Sequence, residues 1–584
     1  MSARGIDVSK HTQSVGKNSA VGNRSLRGGL HNPAATESGA LRHEGAGNVK
    51  STVSLANSKI SLASKAILQA AGVEYEEKDA SYFEKRKLPK SNLGYFDLFA
   101  ITYSVLASGT GCGWWTYCTA QGWGTVLVAT TIMTIWQVSF GVVLTELMTM
   151  LPFIGGLATY SRAAFGPYIG YLIAQCELAE YTIFISANLN GVAVGFVELT
   201  GMDRKYVPLW WFIIFAAMFA LMLTKSRCFF AAFTILTTIS ILINFSLVLP
   251  QLGRTDPVLW AETDFFNQTY NGNVAETGST PFSLETALFP FGFTGFMKTL
   301  PYIFGDFQGL ELMPLLAEES RNFVKDGPRA MLTTIICFNA IYWMLVLVIP
   351  CLPPGLYITQ WSWVPVVDTF VHIFQLEHEG TAHMTLSALF PLISGQIACV
   401  LSLTLAFTRL SFAMSRSGLM PQYLSLTQFP FKSEPLPWAA YLFSIVTTMT
   451  VILISYFAEA SQNLEQITEG LGPAGKDSFT AISFLYLRYK CPKALRPFQS
   501  SLGPLCALLV LLVCVSVFAF IIRTSDSHIP LALVAGKITI GMLHFYFAHR
   551  KHLVLSAEEI FIAEHMGQTI SMSQLPAQRS KEVL

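Results

Sequence analysis

Five carboxyl side chains, Glu146, Glu177, Glu180, Asp306 and Glu311, interrupt stretches that are otherwise apolar. An ionised group at the centre of a bilayer costs roughly 2.5–3.5 kcal/mol on insertion scales, so each one calls for a function or a partner. Glu177 and Glu180 are three residues apart, and on a helix both fall on one face. Such a pair can relay a proton, or it can tie helices together by hydrogen bonds. Glu146 with Arg162 makes a structural or gating pair. Asp306 lies within Phe304-Gly305-Asp306-Phe307-Gln308-Gly309, and Glu311 follows two residues later. A primary ammonium brings three donors and a full charge, and a carboxylate in a dry pocket is its natural partner. By position alone Asp306 is the better placed. Phe304, Phe307 and Trp114 could close over a bound cation and offer it a ring face, although with 43 Phe in the chain a given ring more often faces core or lipid.

A second glycine-rich interruption, Ser108-Gly109-Thr110-Gly111-Cys112-Gly113, mirrors the one at Asp306. Each opens a block of about five apolar spans. Glycine lowers the cost of unwinding a helix, and the freed backbone groups then face a cavity rather than lipid. Half-helix N-termini attract a carboxylate and half-helix C-termini a cation. Close helix packing through small residues would explain either site alone. Two in matching positions point to a binding site built from Ser108, Gly109, Thr110, Gly111, Trp114, Phe304, Gly305, Asp306, Phe307, Gly309 and Glu311.

The elements that must position these residues follow from composition. Of 584 residues, 52% are hydrophobic and only 13% charged, against about 25% charged in soluble domains. A net charge of +1 leaves no basic footprint for nucleic acid. Apolar runs at about 95–119, 124–150, 168–199, 207–224, 228–250, 290–316, 330–352, 386–414, 437–457, 466–487, 502–522 and 528–548 predict twelve membrane helices. The tenth is the poorest: only Phe479–Leu487 is convincingly apolar, and Glu465, Glu469, Lys476 and Asp477 lie just before it, so that this helix is either partly buried in protein or incomplete, with Lys476 counted on the outer side. Short loops on one side carry 14 Lys/Arg against 5 on the other, with Lys476 among the five. This places both termini in the cytoplasm, most simply at the plasma membrane. Residues 1–93 form a polar cytoplasmic tail, disordered over 1–50. Residues 94–250 are a first repeat, 251–289 an outer loop, 290–487 a second repeat, 488–548 two further helices, and 549–584 a second cytoplasmic tail.

Several motifs stand in fixed order along this plan. Thr145-Glu146-Leu147, Pro152, Gly155-Gly156, Tyr160 and Arg162-Ala163-Ala164-Phe165-Gly166-Pro167 come first. Ala317-Glu318-Glu319-Ser320-Arg321-Asn322 with Gly327-Pro328-Arg329-Ala330, then Ser415-Arg416-Ser417-Gly418-Leu419-Met420-Pro421, then Arg496-Pro497-Phe498 follow. Together they resemble the amino acid–polyamine–organocation superfamily of permeases over roughly 94–548. Ser108-Gly109, Gly113-Trp114, Glu180-Tyr181, Leu300-Pro301-Tyr302, Glu311 and Pro314 are most similar to its ethanolamine-permease group. The resemblance implies an all-α multi-pass membrane protein with a LeuT-like 5+5 inverted repeat plus two helices, the first and sixth discontinuous. It implies a secondary transporter of ethanolamine-like amines or amino acids working by alternating access, with Glu311 taking the ammonium. Asp306 departs from the group, which usually has an apolar or aromatic residue there.

The partners expected are therefore a small amine or amino acid, protons and the lipid bilayer, with no cofactor and no metal. The fifth span has no lysine to replace a sodium ion, and the eighth offers Ser402 and Thr404 without an adjacent hydroxyl pair. Proton coupling or exchange remains. The competing expectation is a nutrient receptor that keeps the scaffold and signals through its tail. An enzyme is not expected. Gly470-Leu471-Gly472-Pro473-Ala474-Gly475-Lys476-Asp477 nearly spells a phosphate loop, but Asp477 stands where Ser or Thr would hold magnesium.

Overall fold

The computed structural model describes residues 75–76, 82, 85–86, 88, 91–110, 121–257, 288–359, 365–375, 395–429, 434–457, 462–492, 494–524, 529–550 and 552–554. The tail up to residue 74, and with it the segment on which signalling would depend, lies outside the described residues. So do Gly111 and Trp114.

The elements are almost all helices: α1 Tyr95–Leu106, α2 Trp123–Met150, α3 Gly156–Phe165, α4 Pro167–Thr200, α5 Val207–Leu223, α6 Ser226–Val248, α7 Gly292–Asp306 and α8 Phe323–Val348. They continue with α9 Pro365–Ile373, α10 Ile397–Arg416, α11 Trp438–Phe457, α12 Gln462–Lys490, α13 Gly503–Thr524 and α14 Ile529–His544. Eight described helices, α2, α4, α5, α6, α8, α10, α11 and α13, are long and apolar enough to cross a membrane. The other four predicted spans fall on α1, α7 and α14, which are short, and on α12, which is polar.

Side-chain spacing decides which face of each helix turns inward. On α13, Ala507, Val510, Cys514, Val517 and Ile521 are buried at steps of three and four, while Leu505, Leu508, Leu512 and Val515 stand exposed. An exposed leucine stripe of this kind is what lipid solvates. At the centre α10 is enclosed on nearly all sides, with 94% of its apolar window buried; α5 and α6, at 28%, form the outer wall. Around α10 pack α1, α4 and α11, and α12 is held between α4 and α13. The long α4 starts with Pro167 at its first turn and stops at Gly201, whose φ of +66° forms a left-handed cap.

The tenth span is one continuous helix over residues 462–490, partly buried in protein, and the correction concerns Lys476, expected on the outer side. Lys476 and Asp477 are fully buried within it, which also removes Lys476 from the outer charge count. Average hydropathy misplaced Lys476 because a charge paired inside the protein needs no water.

At the basic end of the bundle, the chain before α1 is sewn to other elements. Strand β1 (Tyr75–Glu76) pairs in parallel with β2 (Leu553–Val554), Tyr75 opposite Leu553. The Val554 N–H donates to the Ser417 carbonyl (3.1 Å), and Tyr82 OH to that of Arg416 (3.1 Å). Leu93 N–H donates to the Glu319 carbonyl (3.2 Å), and the Leu93 carbonyl accepts from Arg321 N–H (3.0 Å).

Candidate functional site

Two helices, α1 and α7, are followed by tighter turns that line one cavity. After Leu106, α1 tightens into a 3₁₀ turn over Ala107–Thr110. After Asp306, α7 gives way to close turns: Phe307 N–H donates to Phe304 O (3.3 Å) and Gln308 N–H to Gly305 O (3.2 Å). The chain resumes as a ten-residue 3₁₀ helix, Leu310–Glu319, with Pro314 inside it. Such helices seldom exceed three or four residues, and long ones often mark hinges or strain. Gly309 makes the corner at φ +133°, where a Cβ would also sit 2.8 Å from Val105 Cγ1 of α1. The corner thus ties one break to the other. Its freed N–H donates to Glu311 Oε2 (2.9 Å).

A cavity opens beside this corner, with roughly 20 Å³ of free space for a water-sized sphere, room for about one water. Val105 and Ser108 line it from the first break, and Glu180, Tyr181, Phe184 and Asn188 from α4. Gly305, Asp306, Gln308, Gly309 and Glu311 come from the second break, and Leu403 from α10. Asp306 accepts a hydrogen bond from Tyr342 OH of α8 (2.9 Å); among the described residues no cation pairs with it.

Lys476 of α12 reaches the same floor. Its ammonium lies 2.8 Å from the Glu180 carboxylate and 2.8 Å from Glu311 Oε1, with all three side chains buried. One lysine therefore bridges α4 and the 3₁₀ segment. Glu177, one turn before Glu180, accepts from Tyr181 OH (2.8 Å). Burying ions is costly, and the bridge recovers that cost only through close, multiple contacts.

The predicted residues separate accordingly. Ser108, Glu180, Gly305, Asp306, Gly309 and Glu311 converge on the cavity. Gly109 and Thr110 lie in the 3₁₀ turn beside it. Phe304 and Phe307 do not: Phe304 packs against Trp136 (ring centroids 4.9 Å apart) and Phe307 against Phe338 and Tyr342 (5.1 and 5.0 Å). Both rings sit on the side of α7 turned to α2 and α8, in core. Glu146 is held by Arg488 (2.9 Å) and Arg496 (3.2 Å), not by Arg162. Those arginines arrive from the far end of α12 and its following loop, so proximity in sequence misled. Sequence reasoning missed Lys476, Asn188, Gln308 and Tyr342. The one available signal for Lys476 was that Glu180 and Glu311 each lacked a nearby cation.

Apolar helices with outward leucine stripes, enclosing a charged cavity at a helix break, define an all-α multi-pass membrane protein. The chain belongs to the amino acid permease family, whose sequence pattern matches residues 101–528. This places it in the amino acid–polyamine–organocation superfamily. It is 24% identical over 378 residues to the cationic amino acid transporter 2, vacuolar, of Arabidopsis thaliana, covering 61% of this chain and 53% of that protein. It is 22% identical over 415 residues to the branched-chain amino acid permease BcaP of Bacillus subtilis (strain 168), covering 70% and 83%. Among solved structures, a mutant of the Eremococcus coleocola manganese transporter shares 13% identity over 85% of this chain and 98% of that one, at a TM-score of 0.45. The chain spans about half the length of the Arabidopsis relatives it matches.

Proposed function

We propose that the chain moves a small amino acid or primary amine across a membrane by alternating access, with Asp306 receiving the substrate ammonium. The observation that carries this is the division of labour among the cavity carboxyls. Glu180 and Glu311 are already bridged by Lys476, while Asp306 faces the cavity with a tyrosine hydroxyl as its partner. A buried carboxylate in want of a cation is a strong recognition element for R–NH₃⁺. Ser108, Asn188 and Gln308 supply neutral donors and acceptors for the rest of the solute. With room for about one water, the cavity is a closed form. Admitting a solute requires the 3₁₀ segment to move against α4, and the Lys476 bridge joins those two elements. Glu177 and Glu180 stand where a proton relay would meet that bridge. Cationic and branched-chain amino acids, which relatives are named for, and ethanolamine all carry the required ammonium.

A screen of radiolabelled ethanolamine, lysine, leucine and alanine in proteoliposomes tests the reading. Asp306→Asn is expected to lower uptake of the best substrate ten-fold or more, since about 1.4 kcal/mol is one decade. Unchanged uptake at equal protein abundance removes Asp306 from that role.

A further inference from the structure

Next to Lys476 the helix carries a second buried charge with a different outlook. Successive residues on a helix point about 100° apart. Lys476 therefore turns to α4 and the 3₁₀ segment, while Asp477 turns toward α13, beside Cys514. Asp477 is fully buried, and among the described residues neither of its carboxyl oxygens has a hydrogen-bond partner. The Gln308 amide faces the Asp477 carboxyl within reach of a hydrogen bond, but short of ideal geometry. Gln308 is itself only 4% exposed and lines the cavity, and among the described residues neither end of its amide has a partner. Two buried polar groups that face each other short of full hydrogen-bond geometry call for a physical account, because a buried carboxylate needs its charge compensated.

Whatever compensates that charge must be positive and small. The charged and titratable groups around Asp477 are Lys476 on its own helix, Glu311 on the 3₁₀ segment, Glu180 on α4 and Cys514 on α13; Lys537 of α14 acts on Glu180 from farther out. Carboxyls outnumber the single central ammonium. A metal ion needs several oxygen ligands, and among the described residues no such group is assembled. A proton needs one acceptor.

We propose that Asp477 is a proton-binding site, reached from the cavity past Gln308, that controls the Lys476 bridge. The proton arrives as hydronium through the cavity: one O–H bond of the hydronium breaks, one O–H bond forms on a carboxylate oxygen of Asp477, and a neutral water is left behind. Lys476 spends two of its three N–H donors on Glu180 and Glu311. With Asp477 protonated, only Glu180 and Glu311 carry charge against the ammonium and the bridge holds. When Asp477 loses its proton, its new charge repels the carboxylates of Glu311 and Glu180, which loosens the bridge and frees the 3₁₀ segment. This rests on the transport reading for its consequence only; proton binding is measurable without any solute.

The test is infrared difference spectroscopy on the full chain in lipid nanodiscs, stepped from about pH 5 to about pH 9 in the absence of substrate, a window that brackets shifted carboxyls. The wild-type chain is expected to lose a protonated-carboxyl C=O band as pH rises. Asp477→Asn loses that component, Asp477→Glu moves its frequency, Gln308→Leu moves its midpoint, and Asp306→Asn keeps it. The band surviving in Asp477→Asn at full intensity overturns the proposal. So does a band that answers to added Na⁺ at constant pH rather than to pH. A chain that shows the band but carries no solute supports the proton site and overturns the transport reading.

Discussion

On the cavity floor, one lysine is shared by two carboxylates with a third close by, and every member is buried. At the basic end the proportions reverse: Arg488 and Arg496 converge on Glu146, Arg416 makes a two-pronged contact with Glu318 (2.6 and 2.9 Å), and Arg409 pairs with Glu319. Arginine offers a rigid fork that fixes a carboxylate in one orientation, whereas a lysine ammonium is a point charge on a flexible stem. The basic end therefore reads as a clamp on the ends of α2, α10 and α12. The cavity floor reads as a contact that can be exchanged.

That contrast can be broken by removing one charge at a time. The largest effect is expected at the floor: Lys476→Met leaves two buried carboxylates without their cation, a loss of about 3–5 kcal/mol, visible as a lower unfolding temperature in detergent. A wild-type melting curve would mean that the floor is not held by this bridge. Glu146→Gln strips the charge from a partly buried cluster and is expected to cost about 1–3 kcal/mol, with substrate exchange retained. If exchange were lost while stability held, the basic end would be a gate, and the contrast would fail. The smallest effect is expected at the Arg416–Glu318 pair, whose side chains are 21% and 25% exposed. There Arg416→Ala should shift stability by about 0.2–1 kcal/mol, and raising salt should shrink the difference further.

Most of the helical plan was legible because lipid demands it: apolar runs of the right length can only be helices. The tighter turns at Ala107–Thr110 and Phe307–Gly309 fall where glycines cluster in the sequence, and glycine weakens a helix locally. What could not be read was anything set by packing between distant helices. Lys476 lies 296 residues from Glu180 and 165 from Glu311, and a local average sees only a charged stretch. The turn of Phe304 and Phe307 away from the cavity follows from the rotation of α7 against α2 and α8, which composition does not specify.

The hydrogen bonds between Leu93 and residues 319–321 have a mechanical outcome. They fasten the chain entering the first interrupted element to the chain leaving the second, a few residues beyond each. A displacement of either would therefore be felt by the other, because both are held at one short stretch of shared backbone.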